Sequence, residues 1–266
     1  LSALLLDNAY LLILAVGMTF VIVTGGIDLS VGSVMAFTGI WLAKLLADGM
    51  ALALAIPLVL IAGALIGLLI GVLVVFFDVQ PFIASLAGLF LARGLAFVVS
   101  LSSIGVDTDR LLWLQSTRYR WGNWYISPTG ILALLVVLVG AYVMRYTRFG
   151  RTTYAMGGNK QAALMGLRVA RTTVLVYVIS GLCGGIAGVV LTAYSGAGYP
   201  RNGIGTELDV IAAVVIGGTL LTGGSGYVLG SVVGVLVYGT ITTIISFMGA
   251  EQSWTKIIIG ALLLLF

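Results

Sequence analysis

A carboxylate, three hydroxyls and a run of glycines stand together in Thr24-Gly25-Gly26-Ile27-Asp28-Leu29-Ser30-Val31-Gly32-Ser33, and the residues on either side, 9–23 and 31–43, carry no charge. The glycine pair disfavours continued helix, so the stretch reads as two membrane helices meeting at a break, with Asp28 as N-cap of the second. Non-helical backbone at membrane depth persists only where it is buried in protein or lines a water-filled cavity, and an ionisable residue placed there is a functional candidate. The plainer alternative is that Asp28 only caps a helix near one membrane face. Around this break and the outer helix ends, Thr24, Ser30, Ser33, Phe37, Tyr194, Thr219, Thr222 and Ser225 offer hydroxyl and aromatic groups to a neutral polar cargo, although each hydroxyl can instead bond its own helix backbone. Arg93 is a second ion inside an apolar run, expected to offset Asp28 or a carbonyl-lined helix end.

Other chemistries lack their parts. There is no histidine and a single cysteine, Cys183, which leaves a structural zinc site or a triad-type nucleophile almost nothing to be built from. No phosphate-binding loop is present, since Gly157-Gly158-Asn159-Lys160 has the wrong spacing and Gly203-Ile204-Gly205 lacks the third glycine of a dinucleotide fingerprint. Asp28, Glu207 and Asp209 are the main carboxylates near the spans, too sparse for a proton relay.

The elements that must position these residues are membrane helices. Of 266 residues, 61% are hydrophobic and only 8% charged, with 37 glycines, the composition of an all-α, polytopic integral membrane protein with no room for a sizeable soluble domain. A helix needs about 20 apolar residues to cross the bilayer. Residues 1–23, 31–46, 51–77, 81–103, 127–144 and 172–199 meet or approach that length. Residues 210–250 are uncharged throughout, and as one helix they would reach about 60 Å at about 1.5 Å per residue. That run must turn back, most simply at Thr222-Gly223-Gly224-Ser225-Gly226, and a last helix starts near Trp254. The bundle expected is therefore one of about nine or ten helices, broken at Gly-Gly motifs and forming a single domain over 1–266.

Six of the 13 basic residues, Arg145, Arg148, Arg151, Lys160, Arg168 and Arg171, fall in one segment without an acidic residue, which the positive-inside rule places in the cytoplasm. Residues 104–126, with Trp113, Tyr119, Trp121, Trp124 and Tyr125, then lie outside as an aromatic segment at headgroup level, as do 196–205. Within the basic segment 161–167 reads as a short helix following Gly157-Gly158-Asn159, suited to docking on another protein; a solvated loop beside anionic lipid is the alternative.

Thr24-Gly25-Gly26 with Gly32-Ser33-Val34 recurs as Thr222-Gly223-Gly224 with Gly230-Ser231-Val232. Internal repeats carrying broken helices at matching positions point to a transport site. Gly63, Gly67 and Gly71, and again Gly226, Gly230 and Gly234, place small residues four apart, the spacing that lets membrane helices approach closely.

These motifs carry a resemblance. The Thr24 to Ser33 stretch, Pro81-Phe82-Ile83 leading to Ala92-Arg93-Gly94, Thr147-Arg148-Phe149-Gly150 with Tyr154-Ala155-Met156-Gly157-Gly158-Asn159, Ala162-Ala163-Leu164-Met165-Gly166 and the run from Asp209 to Thr219 occur together and in order. The chain resembles the permeases of bacterial ABC-type monosaccharide importers, the ribose, arabinose, xylose and galactofuranose group, and within it one of the two permeases of a galactofuranose importer. The resemblance implies a multi-pass protein of the bacterial inner membrane that moves a monosaccharide inward by alternating access. It implies a second permease as a paralogous partner, a cytoplasmic ATPase and a periplasmic sugar-binding protein. No cofactor is expected in this chain, ATP and magnesium belonging to the ATPase, and the chain is not itself an enzyme; lipid is its solvent and no nucleic acid is expected as a partner. Residues 145–171 become the coupling loop, with Gly158, Asn159, Ala162, Ala163, Met165, Gly166 and Arg168 facing the ATPase. The family pattern also carries a further N-terminal helix, so a first helix and a C-terminal tail are expected beyond this sequence. Two rival readings are a branched-chain amino acid permease of the same superfamily and an ATP-independent facilitator, which would need no docking loop.

Overall fold

The computed structural model describes residues 2–106, 109–122, 124–158, 166–249 and 253–263. Its bundle is arranged around α9 (Val169–Ser195), against which α2 (Ala9–Val23), α3 (Val31–Ala47) and α4 (Leu52–Phe76) all pack. The reason lies in the small residues of α9, Ser180, Gly181, Gly184, Gly185 and Gly188. Facing them, α4 presents the glycine stripe read from the sequence: a Cβ on Gly63 would lie 2.6 Å from the Gly181 carbonyl oxygen, and one on Gly71 would lie 2.9 Å from Val174 Cα. The two helices therefore touch backbone to backbone, which is how helices associate where lipid removes the hydrophobic drive.

Among the described residues, five helices are long and apolar enough to cross a membrane: α4, α5 (Pro81–Val99), α7 (Pro128–Tyr146), α9 and α11 (Val228–Phe247). The helices flanking the first break are shorter, 15 residues for α2 and 17 for α3, or about 22 and 25 Å. They remain within the protein because it shelters them. Every residue of α2 but Tyr10 is buried, as expected for a helix apolar on all sides.

The structure departs from the sequence reading in several places. Residues 1–23 are not one helix: α1 (Ser2–Asp7) ends at Asn8, whose Nδ2 donates to the Leu4 carbonyl at 2.9 Å, and α2 starts afresh. The aromatic segment folds as α6 (Asp109–Ser116) followed by a hairpin of β2 (Tyr119–Trp121) and β3 (Trp124–Ile126), in register Tyr119 to Ile126, while β1 (Ile104–Gly105) pairs antiparallel with β4 (Ala197–Gly198). In the basic segment a helix forms before the glycine pair: α8 (Arg148–Gly158) includes Gly157 and Gly158 as its last turn. The helix expected over 161–167 falls mostly outside the described residues.

The long uncharged run does turn back, into α10 (Thr206–Ile216) and α11, with α12 (Ser253–Leu263) beyond. It turns earlier than expected, at Gly217-Gly218, and Thr222 to Gly226 forms the following loop. Gly226 thus precedes α11, and the small-residue contact there is Gly230 and Gly234 against Gly217 and Ala213 of α10. Finally, 199–205 does more than join two helices, although Tyr199, Arg201 and Ile204 in it are exposed. From Gly198, packed on Ile40 and Ala43, the chain runs back along α3 to Gly203, packed on Gly32 and Met35, a descent of about 12 Å of helix. This re-entrant segment explains why α10 is only 11 residues long.

Candidate functional site

The first break is closed by the backbone itself. Past the α2 C-cap Thr24, the Gly25 amide donates to Ile22 O at 2.8 Å and the Gly26 amide to Val21 O at 3.1 Å, the paired bonds of a Schellman ending, with Gly25 at φ 79°, a conformation that glycine adopts without strain. The same ending closes α10: Gly218, at φ 87°, donates to Val215 O and Thr219 to Val214 O. The two breaks thus share their chemistry, but the equivalent of Gly25 is Gly218, and the sequence repeat aligns only the helix starts that follow.

Asp28 is fully buried and does not cap α3, whose N-cap position is Ser30. Its Oδ1 accepts from the Ser30 amide at 2.9 Å and the Ser30 hydroxyl at 2.6 Å, and its Oδ2 accepts from the Ser180 hydroxyl at 2.6 Å. The carboxylate ties the break to α9, roughly 16 Å from the start of a helix roughly 40 Å long. The partnership of Asp28 with α9 was not legible in the sequence. Ser180 and Tyr177, one turn apart, both reach the break, and the sole sequence signal was their position in a glycine-rich helix face.

A second junction joins the breaks to the basic segment. The Gly224 amide donates to Val23 O at 2.8 Å, a backbone bond between the two breaks. Gly157 of α8 is wedged beside it: a Cβ there would collide with Val23 O and the Gly224 amide, and one on Gly223 would lie 2.8 Å from the Gly25 amide. Only residues without side chains allow three backbone segments to meet so closely. Around the junction, Phe149 of α8 stacks on Phe20 of α2 with ring centroids 5.9 Å apart, and Tyr154 Oη donates to Gly226 O at 2.6 Å. Burial pushes the Tyr154 hydroxyl above its ordinary pKa.

Arg93 of α5 is not paired with Asp28. Its Nη1 donates to the carbonyls of Pro200 and Asn202, each at 2.7 Å, so it holds the re-entrant segment. Glu207, in the first turn of α10, accepts from the Gly205 amide at 3.3 Å and lies over Gly32. The remaining candidates are dispersed. Ser33 Oγ donates to Ser30 O and Thr24 Oγ1 to Val21 O; Phe37 stacks on Trp41 at 5.5 Å. Tyr194 donates to Asp7 Oδ1 at 3.0 Å near the C-terminal end of α9. Thr219 is buried against Gly226, while Thr222 and Ser225 are exposed in the loop. Of the coupling residues, Gly158 ends α8, Gly166 sits at φ 76° and Arg168 precedes α9. Asn159, Ala162, Ala163 and Met165 lie outside the described residues. A further link missed from sequence is the hydrogen bond of 2.7 Å between the Thr19 and Ser231 hydroxyls, which ties α2 to α11.

The helices of the bundle are thus broken and joined beside the basic segment. Comparison with known proteins decides the family: the model described as branched-chain amino acid transport system / permease component matches residues 1–266. The chain belongs to this family. As a permease component it is a translocating part and not an enzyme. Among relatives, the inner membrane ABC transporter permease protein YjfF of Escherichia coli is 48% identical over 266 residues, covering 98% of this chain and 80% of the relative. The fructose import permease protein FruG of Bifidobacterium longum is 43% identical over 280 residues, covering 100% and 80%. The ribose import permease protein RbsC of Bacillus subtilis is 38% identical over 256 residues, covering 95% and 79%. No solved structure matches this permease.

Proposed function

We propose that this permease is the membrane subunit of an ATP-driven importer that carries a neutral monosaccharide across the bacterial inner membrane, galactofuranose being the leading candidate cargo. It works with a second, paralogous permease, a cytoplasmic ATPase and a periplasmic binding protein. The observation that carries the reading is the junction of Gly157 with Val23 and Gly224. It puts the end of the basic α8 in backbone contact with both helix breaks, so that force applied by an ATPase beyond Gly158 reaches them directly. Breaks of non-helical backbone absorb such motion through a few dihedral angles while the packed helices move as units. Alternating access then follows from rocking of α2 and α3 about the break, with the sugar passing along the interface of the two permeases.

Sugar is favoured over a branched-chain amino acid because a zwitterion is received by free charges or free helix ends, and two of the ions inside the bundle are already occupied. Here Asp28 is committed to Ser30 and Ser180, and Arg93 holds two carbonyls. The names of the relatives, which include fructose and ribose importers, support the same choice. The test is purification of the membrane complex in mild detergent, mass spectrometry of the copurifying chains, and uptake of labelled sugars and leucine into proteoliposomes. An ATPase and a second permease should copurify with wild type, the ATPase being lost with Gly166→Glu, and ATP should drive sugar uptake. A lone chain sustaining flux without ATPase would replace this reading with a facilitator, and leucine uptake with an amino acid permease.

A further inference from the structure

The helices α7 and α11 pack side by side and leave an apolar face uncovered. Leu135, Leu138 and Tyr142 along α7 are exposed, as are Leu229, Val233 and Val237 along α11, and their spacing of three or four residues puts each set on one side of its helix. Exposed apolar faces of this kind mark contact with membrane or with another protein. Both stripes run toward a cavity of about 530 Å³ at the end of the bundle that carries the basic segment. Arg145, Tyr154, Ser225, Tyr227 and Leu229 are among the residues that line it.

The charge in this cavity is uncompensated. Arg145 stands in the last turn of α7 and is exposed, its guanidinium carbon 5.9 Å from the centroid of the Tyr146 ring. Among the described residues the one ion pair is Lys44 with Asp48, and no acidic residue lines the cavity. Ser225 and Tyr227 add exposed hydroxyls at the rim, and tyrosine beside arginine at the end of a spanning helix suits the headgroup level. The first turn of α11 starts in the same wall, where Tyr227 as N-cap gives no side-chain hydrogen bond, so the end of the helix adds positive potential. A cation with hydroxyls at one end of an apolar groove matches an amphiphile with an anionic head. A free anion gains nothing from the groove, and a zwitterionic head brings a cation of its own toward Arg145. The cavity of about 620 Å³ beside Arg168 and Arg171 is less suited, because it shares Val74, Val169 and Thr173 with the cavity that Asp78 lines, and so borders a carboxylate.

We propose that this cavity binds an anionic phospholipid, its phosphate on Arg145 and an acyl chain along the groove between α7 and α11. The site takes no cargo and holds whichever solute the permease carries. Gly224 and Gly226 form part of its wall, and Tyr154, which lines it as well, bonds Gly226 O. A lipid seated there braces the loop of the second break where that loop meets α8.

The test uses the complete detergent-purified complex, stripped of lipid by detergent exchange and incubated with dioleoyl phosphatidylglycerol or dioleoyl phosphatidylcholine, with native mass spectrometry reading the lipid retained. Wild type should retain phosphatidylglycerol in preference to phosphatidylcholine. Arg145→Gln should lower that retention about fivefold, the loss expected for one arginine beside an anionic lipid, and Arg145→Lys should restore most of it. Val233→Trp, which fills the groove and leaves Arg145 in place, should lower it too. Arg171→Gln removes a charge at the same end of the bundle but on another cavity, and should leave retention unchanged. Equal losses with Arg171→Gln and Arg145→Gln would reduce the effect to general surface attraction, and equal retention of the two lipids would remove the headgroup from recognition. Displacement of phosphatidylglycerol by excess inorganic phosphate would make a free anion the ligand, and retention of neither lipid would leave the face to a protein partner. Each of these four results would overturn the lipid site.

Discussion

The Gly224 amide donates to the carbonyl of Val23 at 2.8 Å, and through that bond two breaks lying almost two hundred residues apart in sequence act as one mechanical unit. Gly157 closes the unit from the α8 side. Replacing it with valine forces α8 away from both backbones, because neither a carbonyl nor an amide of the main chain can turn aside. Uptake should fall at least tenfold, about 1.4 kcal/mol or more in the barrier, while ATP hydrolysis by the assembled complex continues. Gly94→Ala is the control, since a Cβ there meets nothing within 4 Å; its uptake should stay within about twofold of wild type.

The Asp28–Ser180 bond fixes the first break to α9. Ser180→Ala leaves a buried carboxylate oxygen without its partner, at a cost of about 1–3 kcal/mol. In thermal unfolding of the purified complex, Ser180→Ala should lower the midpoint, and Asp28→Asn combined with it should add less than the sum of the two single changes, as expected for residues in contact. Additive effects would show that the bond carries no coupling.

Arg93 holds the re-entrant segment by two carbonyls on one nitrogen, Nη1. Arg93→Gln removes the charge and shortens the reach, so 199–205 should loosen from α3. Labelling of an Asn202→Cys reporter from the outer side should accelerate about tenfold in the Arg93→Gln background, a change of about 1.4 kcal/mol in the opening equilibrium. Equal labelling in both backgrounds would assign Arg93 a different role.

The glycine face between α4 and α9 sets the stability of the bundle. A Cβ on Gly67 would press on the Tyr177 carbonyl, and the overpacking in Gly67→Ala should cost about 1–3 kcal/mol. Reduced abundance in the membrane and a lower unfolding midpoint would register it.

Much of this architecture could be read from the sequence because a bilayer imposes it locally. The charge-free runs had to be helices, residues 210–250 had to turn back, Gly25-Gly26 had to end a helix, and Gly63, Gly67 and Gly71 had to face another backbone; each conclusion needs only near neighbours and the thickness of hydrocarbon. Tertiary structure alone decided who meets whom. Asp28 could as well have capped its own helix, and it bonds Ser180 because α9 runs alongside at that height. Arg93 could have faced Asp28, and instead supports Pro200 and Asn202 because 199–205 folds back along α3. The meeting of Gly157 with Gly223 and Gly224 left no trace in local pattern, since three glycines from distant segments look alike whether they face lipid or one another. Apolar periodicity and helix length are properties of one stretch of chain; the pairing of backbone with backbone is a property of the packed whole.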